Sequence, residues 1–371
     1  MKRLLAMLVV LVLVPLSAAA SEPFTVAAKG AVLIDADSGL VLFGQNENRM
    51  LPMASTTKVM TALIALERST LDEKVTAGKN ASGVPGTSLY LSEGETLTME
   101  QMLYGLMLRS GNDAAVAIAE HVAGSVSAFA ALMNARAEQL NATAHYLNPH
   151  GLDEEGHGIT ALGLARVMRA AMRNPDFRRI TGTKRKIIPW VGNEYSRVLE
   201  NKNRLLRTYE GATGGKTGYT GRAGRCLVFS AERDGLSLIG AVLNCPAWFD
   251  TATLLLDYGF ENYRPESALE TGARVTELPV KGGTGERVTV VAAGPLRAAV
   301  RVGSAVETGI TLPERIEAPV SAGQVVGFAR LLCGGAELAR CDLVAASGVP
   351  RRDFIQSVRG LLRRWVLRLQ P

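Results

Sequence analysis

One stretch organises this chain, and it is Leu51-Pro-Met-Ala-Ser-Thr-Thr-Lys-Val-Met60. It predicts a loop that runs into a helix, because Pro52 precedes the start, Ser and Thr fill the first turn, and apolar residues follow at helical spacing. Ser55 and Lys58 are three residues apart, so they lie on one face of that helix. A neutral lysine in this position can take the proton of the serine hydroxyl. The stretch therefore predicts a serine nucleophile activated by a lysine.

Two further motifs bear on whether this serine and lysine are functional. S-x-x-K alone is weak, because Ser and Lys are common and the alternative is an ordinary helix start with a solvated lysine. Ser110-Gly-Asn112 follows the helix-like run Met99–Arg109, and Lys216-Thr-Gly218 follows a glycine-rich segment at 211–215. The order S-x-x-K, S-x-N, K-T-G is typical of penicillin-binding proteins and class A β-lactamases. Together the three motifs predict an acyl-transfer site.

Composition places the chain among globular proteins with more than one domain. Its 371 residues can bury a large core, and 47% hydrophobic against 20% charged residues excludes a disordered chain. The four cysteines form no C-x-x-C and the four histidines lack metal-ligand spacing, so we expect no metal and no cofactor. We expect no disulfide between Cys226 and Cys245, because a turn near Asp234-Gly235 would not set them opposite each other. The state of Cys333 and Cys341 stays open.

The N-terminus has the pattern of a secretory signal over residues 1–20. Lys2 and Arg3 form a basic start, the segment 4–14 is apolar, and Ala18-Ala-Ala20 offers a cleavage site. An uncleaved anchor is the alternative, but the apolar run is short for a membrane span. We therefore expect an exported protein.

The segment 21–264 carries the pattern of an α+β domain. A predicted hairpin opens it, and an antiparallel sheet signal returns at 214–260, ending in a helix from about Phe249 to Tyr258. The predicted strands are Ala31–Asp35, Leu40–Phe43, Cys226–Ala231 and Leu236–Leu243, and the predicted helices between them are Met99–Leu108, Asp113–Val122, Ala128–Leu140 and Ala161–Met172. We expect an antiparallel sheet flanked by helices.

The composition changes near Tyr263, and 265–348 consists of short β-like runs separated by Gly, Pro and Thr. This pattern predicts a small all-β domain.

The tail at 349–371 is predicted to be a basic amphipathic helix. Its apolar face would hold Phe354, Ile355, Val358, Leu361, Leu362, Trp365, Val366 and Leu369, and its basic face Arg352, Arg359, Arg363, Arg364 and Arg368. Such a helix is typical of the membrane interface, so we expect a peripheral anchor; docking on the protein's own body is the alternative. Residues 351–371 hold six arginines and one aspartate, which leaves the rest of the mature chain about neutral. A nucleic-acid partner is therefore not expected.

The whole pattern resembles the low-molecular-mass penicillin-binding proteins that act as serine-type D-alanyl-D-alanine carboxypeptidases, especially those of spore-forming bacteria. The segments that carry the resemblance are Met53–Lys58, Arg109–Asp113, His150–Asp153, Asn201–Leu206 and Gly215–Thr220. The resemblance implies a penicillin-binding/β-lactamase-like transpeptidase fold, a β-rich second domain and a C-terminal membrane anchor. It also implies a hydrolase of cell-wall biosynthesis and cell shape, on the outer face of the cytoplasmic membrane.

The same resemblance implies the chemistry of the motif residues. Ser55 would attack the D-Ala–D-Ala bond of peptidoglycan stem peptides and form an acyl-enzyme, with Lys58 as the base. Ser110 would relay a proton to the leaving amine, and Asn112 would bind the substrate amide. β-Lactam antibiotics would acylate Ser55 because they imitate the substrate.

The K-T-G strand would complete the site by resemblance. Lys216 and Thr217 would hold the substrate's terminal carboxylate, Gly218 would let its backbone lie close, and the backbone N–H of Tyr219 would contribute to the oxyanion hole with that of Ser55.

Two positions depart from the family pattern. The segment 244–250 has no arginine where some members contact the carboxylate, and Lys202 is the candidate to supply that charge. Arg225 stands where relatives more often have an aromatic residue.

Two other functions compete with the carboxypeptidase. A class A-like β-lactamase would need a glutamate to activate water, and Glu154 and Glu155 lie in a loop. A non-catalytic peptidoglycan-binding protein is the other alternative, but the complete motif set argues against it.

Overall fold

The computed structural model describes residues 24–353 of the chain. The predicted signal segment and residues 354–371 of the predicted tail helix lie outside the described residues. Within 24–353, no single helix has the length and apolarity of a membrane span. Two successive helices, Asn112–Ala123 and Val126–Gln139, pass that test only as a pair, and they are bent by 83° at their break.

The first part of the described chain is an antiparallel sheet with helices on both faces. Its helices are α1 (Lys58–Arg68), α2 (Met99–Tyr104), α3 (Asn112–Ala123), α4 (Val126–Gln139), α5 (Ala161–Met172), α6 (Pro175–Gly182), α7 (Leu205–Thr208) and α8 (Trp248–Asn262). Its strands are β1 (Gly30–Asp35), β2 (Val41–Gln45), β3 (Lys74–Thr76), β4 (Thr96–Thr98), β5 (Ala144–His145), β6 (Gly158–Ile159), β7 (Arg185–Ile188), β8 (Arg197–Glu200), β9 (Ala212–Thr220), β10 (Gly224–Arg233) and β11 (Leu236–Leu243).

The five-stranded sheet has the order β2-β1-β11-β10-β9, so β9 is an edge strand. Side chains alternate between its faces, as the period of a strand requires. On β1, Val32 and Ile34 enter the core shared with α1 and α5, whereas Ala31 and Leu33 enter the core beneath α8. Both faces are therefore buried, and the edge strand β9 contacts the segment Ala54–Thr57.

Helix α1 is fixed inside the larger core. Its first eight residues, Lys58 to Ala65, are all buried, and it packs against α3, α4 and α5. The start of the helix is therefore buried all round, and not only on the apolar face that the periodicity after Ser55 predicts. This packing holds the start of α1 in a fixed position beside β9.

The second part of the described chain is rich in β-structure, as predicted. Its strands are β12 (Tyr263–Leu269), β13 (Arg274–Lys281), β14 (Arg287–Ala292), β15 (Leu296–Arg301), β16 (Glu307–Thr311), β17 (Ile316–Glu317), β18 (Val325–Cys333) and β19 (Ala336–Ala345). Six of them form a sheet in the order β16-β18-β19-β14-β13-β17, and β12 pairs with β15. The buried Asp35 carboxylate of β1 accepts a hydrogen bond from the backbone N–H of Ala299 at 3.0 Å, which ties the two parts together.

The boundary predicted between the β-domain and the tail is wrong at residues 349–351. Val349 forms a β-bridge with Val320, and Arg351 forms one with Gly283. Val349 is 6% exposed and packs in the β-domain core, so burial of its side chain keeps this segment extended rather than helical. The β-domain therefore continues beyond the predicted end at 348.

All four cysteines carry free thiols. Leu227 pairs with Val242, so Cys226 lies opposite Leu243 and not opposite Cys245. On the β18–β19 hairpin Cys341 pairs with Ala329 and Cys333 with Ala336, so these two also do not face each other.

Candidate active site

The nucleophile turn is a 3-10 segment, Ala54–Thr57, that leads directly into α1. Thr56 and Thr57 donate their hydroxyl hydrogens to the carbonyls of Met53 and Ala54 at 2.6 and 2.8 Å. These bonds tighten the turn and turn both threonine side chains inward, where they are buried. Ser55 remains half-buried.

Lys58 is 0% exposed, and its Nζ contacts three oxygen atoms. It lies 2.9 Å from Ser55 Oγ, 2.7 Å from Asn112 Oδ1 and 2.6 Å from the carbonyl of His150. No carboxylate of the described chain forms an ion pair with it. Burial, and then the nearby charges of Lys216 and Lys202, hold the pKa of this amine well below the ordinary lysine value.

The hydrogen-bond inventory of a neutral lysine fits these contacts. A neutral amine has two N–H donors and one lone pair. Asn112 Oδ1 and the His150 carbonyl can accept only, so they take the two N–H groups. The lone pair then faces the Ser55 hydroxyl, which is the geometry that a general base requires.

Ser110 and Asn112 reach the other site residues from an irregular helix break. The π-helical turn Gly105–Arg109 ends at Ser110, whose φ of 71° lies in the left-handed region. A non-glycine residue there is strained, and such strain persists only where surrounding contacts hold it. Asn112 is held by a bond from its Nδ2 to the Pro85 carbonyl at 2.7 Å, while its Oδ1 faces Lys58.

The edge strand β9 brings the third motif to the same place. Lys216 is 1% exposed, and its Nζ donates to Ser110 Oγ at 2.9 Å and to the Thr217 carbonyl at 2.8 Å. Burial, and then the charge of Lys202, lower its pKa to about 7. A Cβ on Gly218 would lie 2.9 Å from the backbone nitrogen of Ser55, so only glycine lets β9 pass this close to the nucleophile turn.

The predicted site residues thus fall into two hydrogen-bonded groups, which lie close together because Ser110 and Asn112 are two residues apart in the chain. Hydrogen bonds join Ser55 to Lys58, Lys58 to Asn112, and Lys216 to Ser110. Thr217 is largely buried, and the side chain of Tyr219 is 68% exposed at the outer end of β9. The arrangement supplies a hydroxyl, a neutral amine beside it and a second amine next to the edge of a strand.

Two groups outside the three motifs hold the site residues in position. The buried Asp113 carboxylate accepts from the backbone N–H groups of Leu89 and Leu91 at 3.0 Å and from the Ser88 hydroxyl at 2.5 Å. The carbonyl of His150 accepts from Lys58, and it is delivered by a loop 92 residues away. The sequence could have indicated Asp113, because this residue directly follows Asn112. It could not have indicated the His150 carbonyl, because every residue has a backbone carbonyl.

The two departures from the family pattern have distinct structural positions. Arg225 donates to the carbonyl of Pro246 at 2.7 Å and its guanidinium carbon lies 5.9 Å from the Trp248 ring centre, so it braces the loop that precedes α8. Lys202 is exposed, and its charge lowers the pKa of both Lys58 and Lys216. No ion pair joins Lys202 to any residue in 24–353.

The glutamates that a β-lactamase would need lie outside this cluster. Glu154 and Glu155 are both exposed, and the Glu154 carboxylate accepts from Asn148 Nδ2 at 3.1 Å. Neither makes a hydrogen bond to Ser55 or Lys58.

Comparison with known proteins matches both parts of the chain to families. Residues 17–247 match the D-alanyl-D-alanine carboxypeptidase family, and residues 263–351 match the C-terminal domain of penicillin-binding protein 5. The D-alanyl-D-alanine carboxypeptidase DacF of Bacillus subtilis is 31% identical over 350 residues, covering 91% of this chain and 90% of that protein. DacB2 of Mycobacterium tuberculosis, also a D-alanyl-D-alanine carboxypeptidase, is 39% identical over 62% of this chain and 81% of its own length.

Solved structures agree with the sequence relatives. The crystal structure of penicillin-binding protein 5 from Haemophilus influenzae superposes with a TM-score of 0.76 and 28% identity, covering 89% of this chain and 99% of that one. The fold expected from the resemblance is therefore confirmed for the described residues. The chain belongs to the D-alanyl-D-alanine carboxypeptidase family.

Proposed function

We propose that the chain removes the terminal D-Ala from peptidoglycan stem pentapeptides through an acyl-enzyme on Ser55. The observation that carries this proposal is the buried amine of Lys58, which lies 2.9 Å from the Ser55 hydroxyl and has no ion-pair partner among the described residues. Burial without a counter-ion favours the neutral form of a lysine, and a neutral lysine is a base that activates the serine beside it.

The reaction follows from the contacts. Ser55 Oγ adds to the carbonyl carbon of the penultimate D-Ala and its proton passes to Lys58, giving a tetrahedral oxyanion. The C–N bond then breaks, and the leaving amine of the terminal D-Ala takes a proton from the Ser110 hydroxyl, which contacts Lys216. The proton that Lys58 accepted replaces the one that Ser110 gave up, so Lys58 is neutral again. Water then adds to the ester carbonyl and gives a proton to Lys58; the ester C–O bond breaks, the shortened peptide leaves as a carboxylate, and Ser55 regains its hydroxyl. β-Lactams acylate the same serine, as is general for the family.

Recognition of the terminal carboxylate falls to cations around β9. Lys216 and Thr217 lie at the edge of the strand beside Ser55, and Lys202 adds a further positive charge that no carboxylate of the described chain neutralises. An anionic group bound here is attracted by the positive charges of Lys216 and Lys202. The charge of Lys202 therefore compensates for the arginine missing from 244–250.

Replacement of Lys202 by Gln should change the pH profile in a defined direction. Attack needs neutral Lys58, so activity rises as pH increases through that pKa; carboxylate binding needs protonated Lys216, so activity falls above its pKa of about 7. The Lys202 charge lowers both pKa values, and its removal should shift both limbs to higher pH. KM should rise about fivefold, as expected for loss of roughly 1 kcal/mol of ion pairing.

The measurement is kcat/KM for D-Ala release against pH, with Lys184→Gln as the control, because Lys184 is exposed and is not among the charges that shift the pKa of Lys58 or Lys216. If both limbs of the pH profile of Lys202→Gln lie at the same pH as in the wild type, the charge of Lys202 does not act on Lys58 and Lys216.

Release of D-Ala from Nα,Nε-diacetyl-L-Lys-D-Ala-D-Ala tests the function itself. The mature protein and a Ser321→Ala control, changed at an exposed serine of the second domain, should both release D-Ala. Ser55→Ala should release none and should retain no labelled penicillin, because it has lost the acylated oxygen. Rapid loss of the label from the wild type without D-Ala release would instead indicate a β-lactamase.

The proposal extends to location. The signal pattern at 1–20 supports export, and the basic amphipathic pattern from Phe354 to the C-terminus supports attachment to the outer face of the cytoplasmic membrane. The positive charge of that segment would favour anionic lipid.

Truncation after residue 353 tests the anchor. The mature full-length chain should sediment with vesicles that contain anionic phosphatidylglycerol, and should do so less at high salt. The truncated chain should stay in the supernatant while keeping its D-Ala release, because every described site residue precedes the cut. Equal sedimentation of both chains would contradict the anchor.

A further inference from the structure

The loop between β5 and β6 reaches the nucleophile turn through a chain of hydrogen bonds that passes through His157. The ring of His157, 6% exposed, accepts the backbone N–H of Leu147 on Nδ1 at 3.0 Å, and its Nε2 lies 3.0 Å from Thr57 Oγ1. Thr57 donates its own hydroxyl hydrogen to the Ala54 carbonyl at 2.8 Å. The reaction described above gives His157 no role.

The contacts of the ring decide which nitrogen carries the hydrogen. Nδ1 accepts a hydrogen bond, so in the neutral imidazole the hydrogen is on Nε2. Burial lowers the pKa of His157 to about 4, although the charges of Glu154 and Asp153 raise it, so the ring is neutral at neutral pH. Nε2–H therefore donates to Thr57 Oγ1, and the chain runs from the ring to the Ala54 carbonyl.

The chain ends on a strained piece of backbone. Ala54 has a φ of 48°, in the left-handed region that a residue with a side chain rarely adopts. A Cβ on Gly151 would lie 2.0 Å from the Ala54 carbonyl oxygen, so the loop backbone packs directly against that carbonyl. A strained conformation needs contacts that hold it, and here they come from Thr57 and from the loop.

The direction of the Ala54 carbonyl decides the direction of the Ser55 N–H. The two groups belong to one planar trans peptide unit, so they point in opposite directions. The Ser55 nitrogen lies beside β9, since a Cβ on Gly218 would be 2.9 Å from it. Holding the carbonyl against the loop therefore aims the N–H at the side where the oxyanion of the reaction would form.

We propose that His157 is a positioning residue for the reaction at Ser55: through Thr57 it fixes the plane of the Ala54–Ser55 peptide, and so the direction of the Ser55 N–H that stabilises the oxyanion. The inference rests on the proposed function, because an oxyanion forms only if Ser55 attacks a carbonyl. The ring itself transfers no proton and does not touch the substrate.

Two substitutions of His157 separate its two hydrogen bonds. In His157→Gln the amide nitrogen reaches about as far as Nε2 and can still donate to Thr57. In His157→Asn the amide oxygen reaches about as far as Nδ1, so it can accept from Leu147 but the side chain cannot reach Thr57. For D-Ala release from the diacetylated tripeptide, His157→Gln should keep most of kcat. His157→Asn should lower kcat about tenfold with KM nearly unchanged, a part of the loss of about a hundredfold or more that follows removal of a whole oxyanion donor.

The rate is expressed per molecule that labelled penicillin acylates at saturation, so that a loss of folded protein does not count as a loss of kcat. Thr57→Val removes the linking hydroxyl and should lower kcat as much as His157→Asn. The double variant should be no slower than either single one, because both act through one contact. His145→Gln is the control and should keep the wild-type kcat, since His145 is exposed and its ring contacts the Gly156 carbonyl instead.

NMR of the wild type tests the chain without any change to the site. With ¹⁵N-labelled histidine, the ring that is missing from the spectrum of His157→Gln should be neutral at neutral pH and carry its hydrogen on Nε2. A hydrogen on Nδ1, or on both nitrogens, would overturn the inference whether or not the variants fold.

Two kinetic results would also overturn it. One is a wild-type kcat in both His157→Asn and Thr57→Val. The other is a kcat per acylated molecule that falls in His157→Gln but not in His157→Asn, which would mean that the ring serves only to hold Leu147. Failure of the proposed function looks different, because the wild type itself would then release no D-Ala.

Discussion

The burial of one amine without a counter-ion governs the rest of this structure. Lys58 is fully buried at the start of α1, and its contacts are oxygen atoms of uncharged groups. A buried ammonium without a carboxylate is costly, so burial favours the neutral form. The energy of packing α1 into the core thus maintains a base that water would protonate.

The surrounding fold places hydrogen-bond acceptors around the neutral amine of Lys58, and no carboxylate of the described residues contacts that amine. Asn112 and the His150 carbonyl accept its hydrogens, while the carboxylate nearest in sequence to Asn112, that of Asp113, is already occupied by the loop amides. Lys216 adds a positive charge that disfavours a second one. Helix, loop and edge strand must all be in place for this balance, which explains why the three motifs are separated along the chain.

Strong periodicity made several elements predictable. The bounds predicted for α5 and β11 coincide with the structure, because apolar residues recur there at helical spacing or in a continuous buried run. The β7–β8 hairpin was missed, since each of its strands has only four residues and two of the four in each are charged. The tail boundary was misplaced because Val349 stands next to a proline and two arginines, and only the tertiary structure buries it.

The site was predictable in its residues but not in its geometry. The three motifs name Ser55, Lys58, Ser110, Asn112 and Lys216, and all five meet. The left-handed Ser110 and the π-helical turn before it leave no mark in the sequence pattern, because they are imposed by contacts on both sides. The same holds for the His150 carbonyl, since a backbone acceptor has no residue type of its own.

The most direct test is the titration of Lys58 itself. Protein labelled with ¹³C at lysine Cε should give one resonance that disappears in Lys58→Arg and identifies this side chain by NMR. We expect it to titrate well below 10.5, the ordinary value for lysine. A Lys58 resonance that titrates near 10.5 would mean that the buried group is an ammonium, and the account of a lysine base would fail.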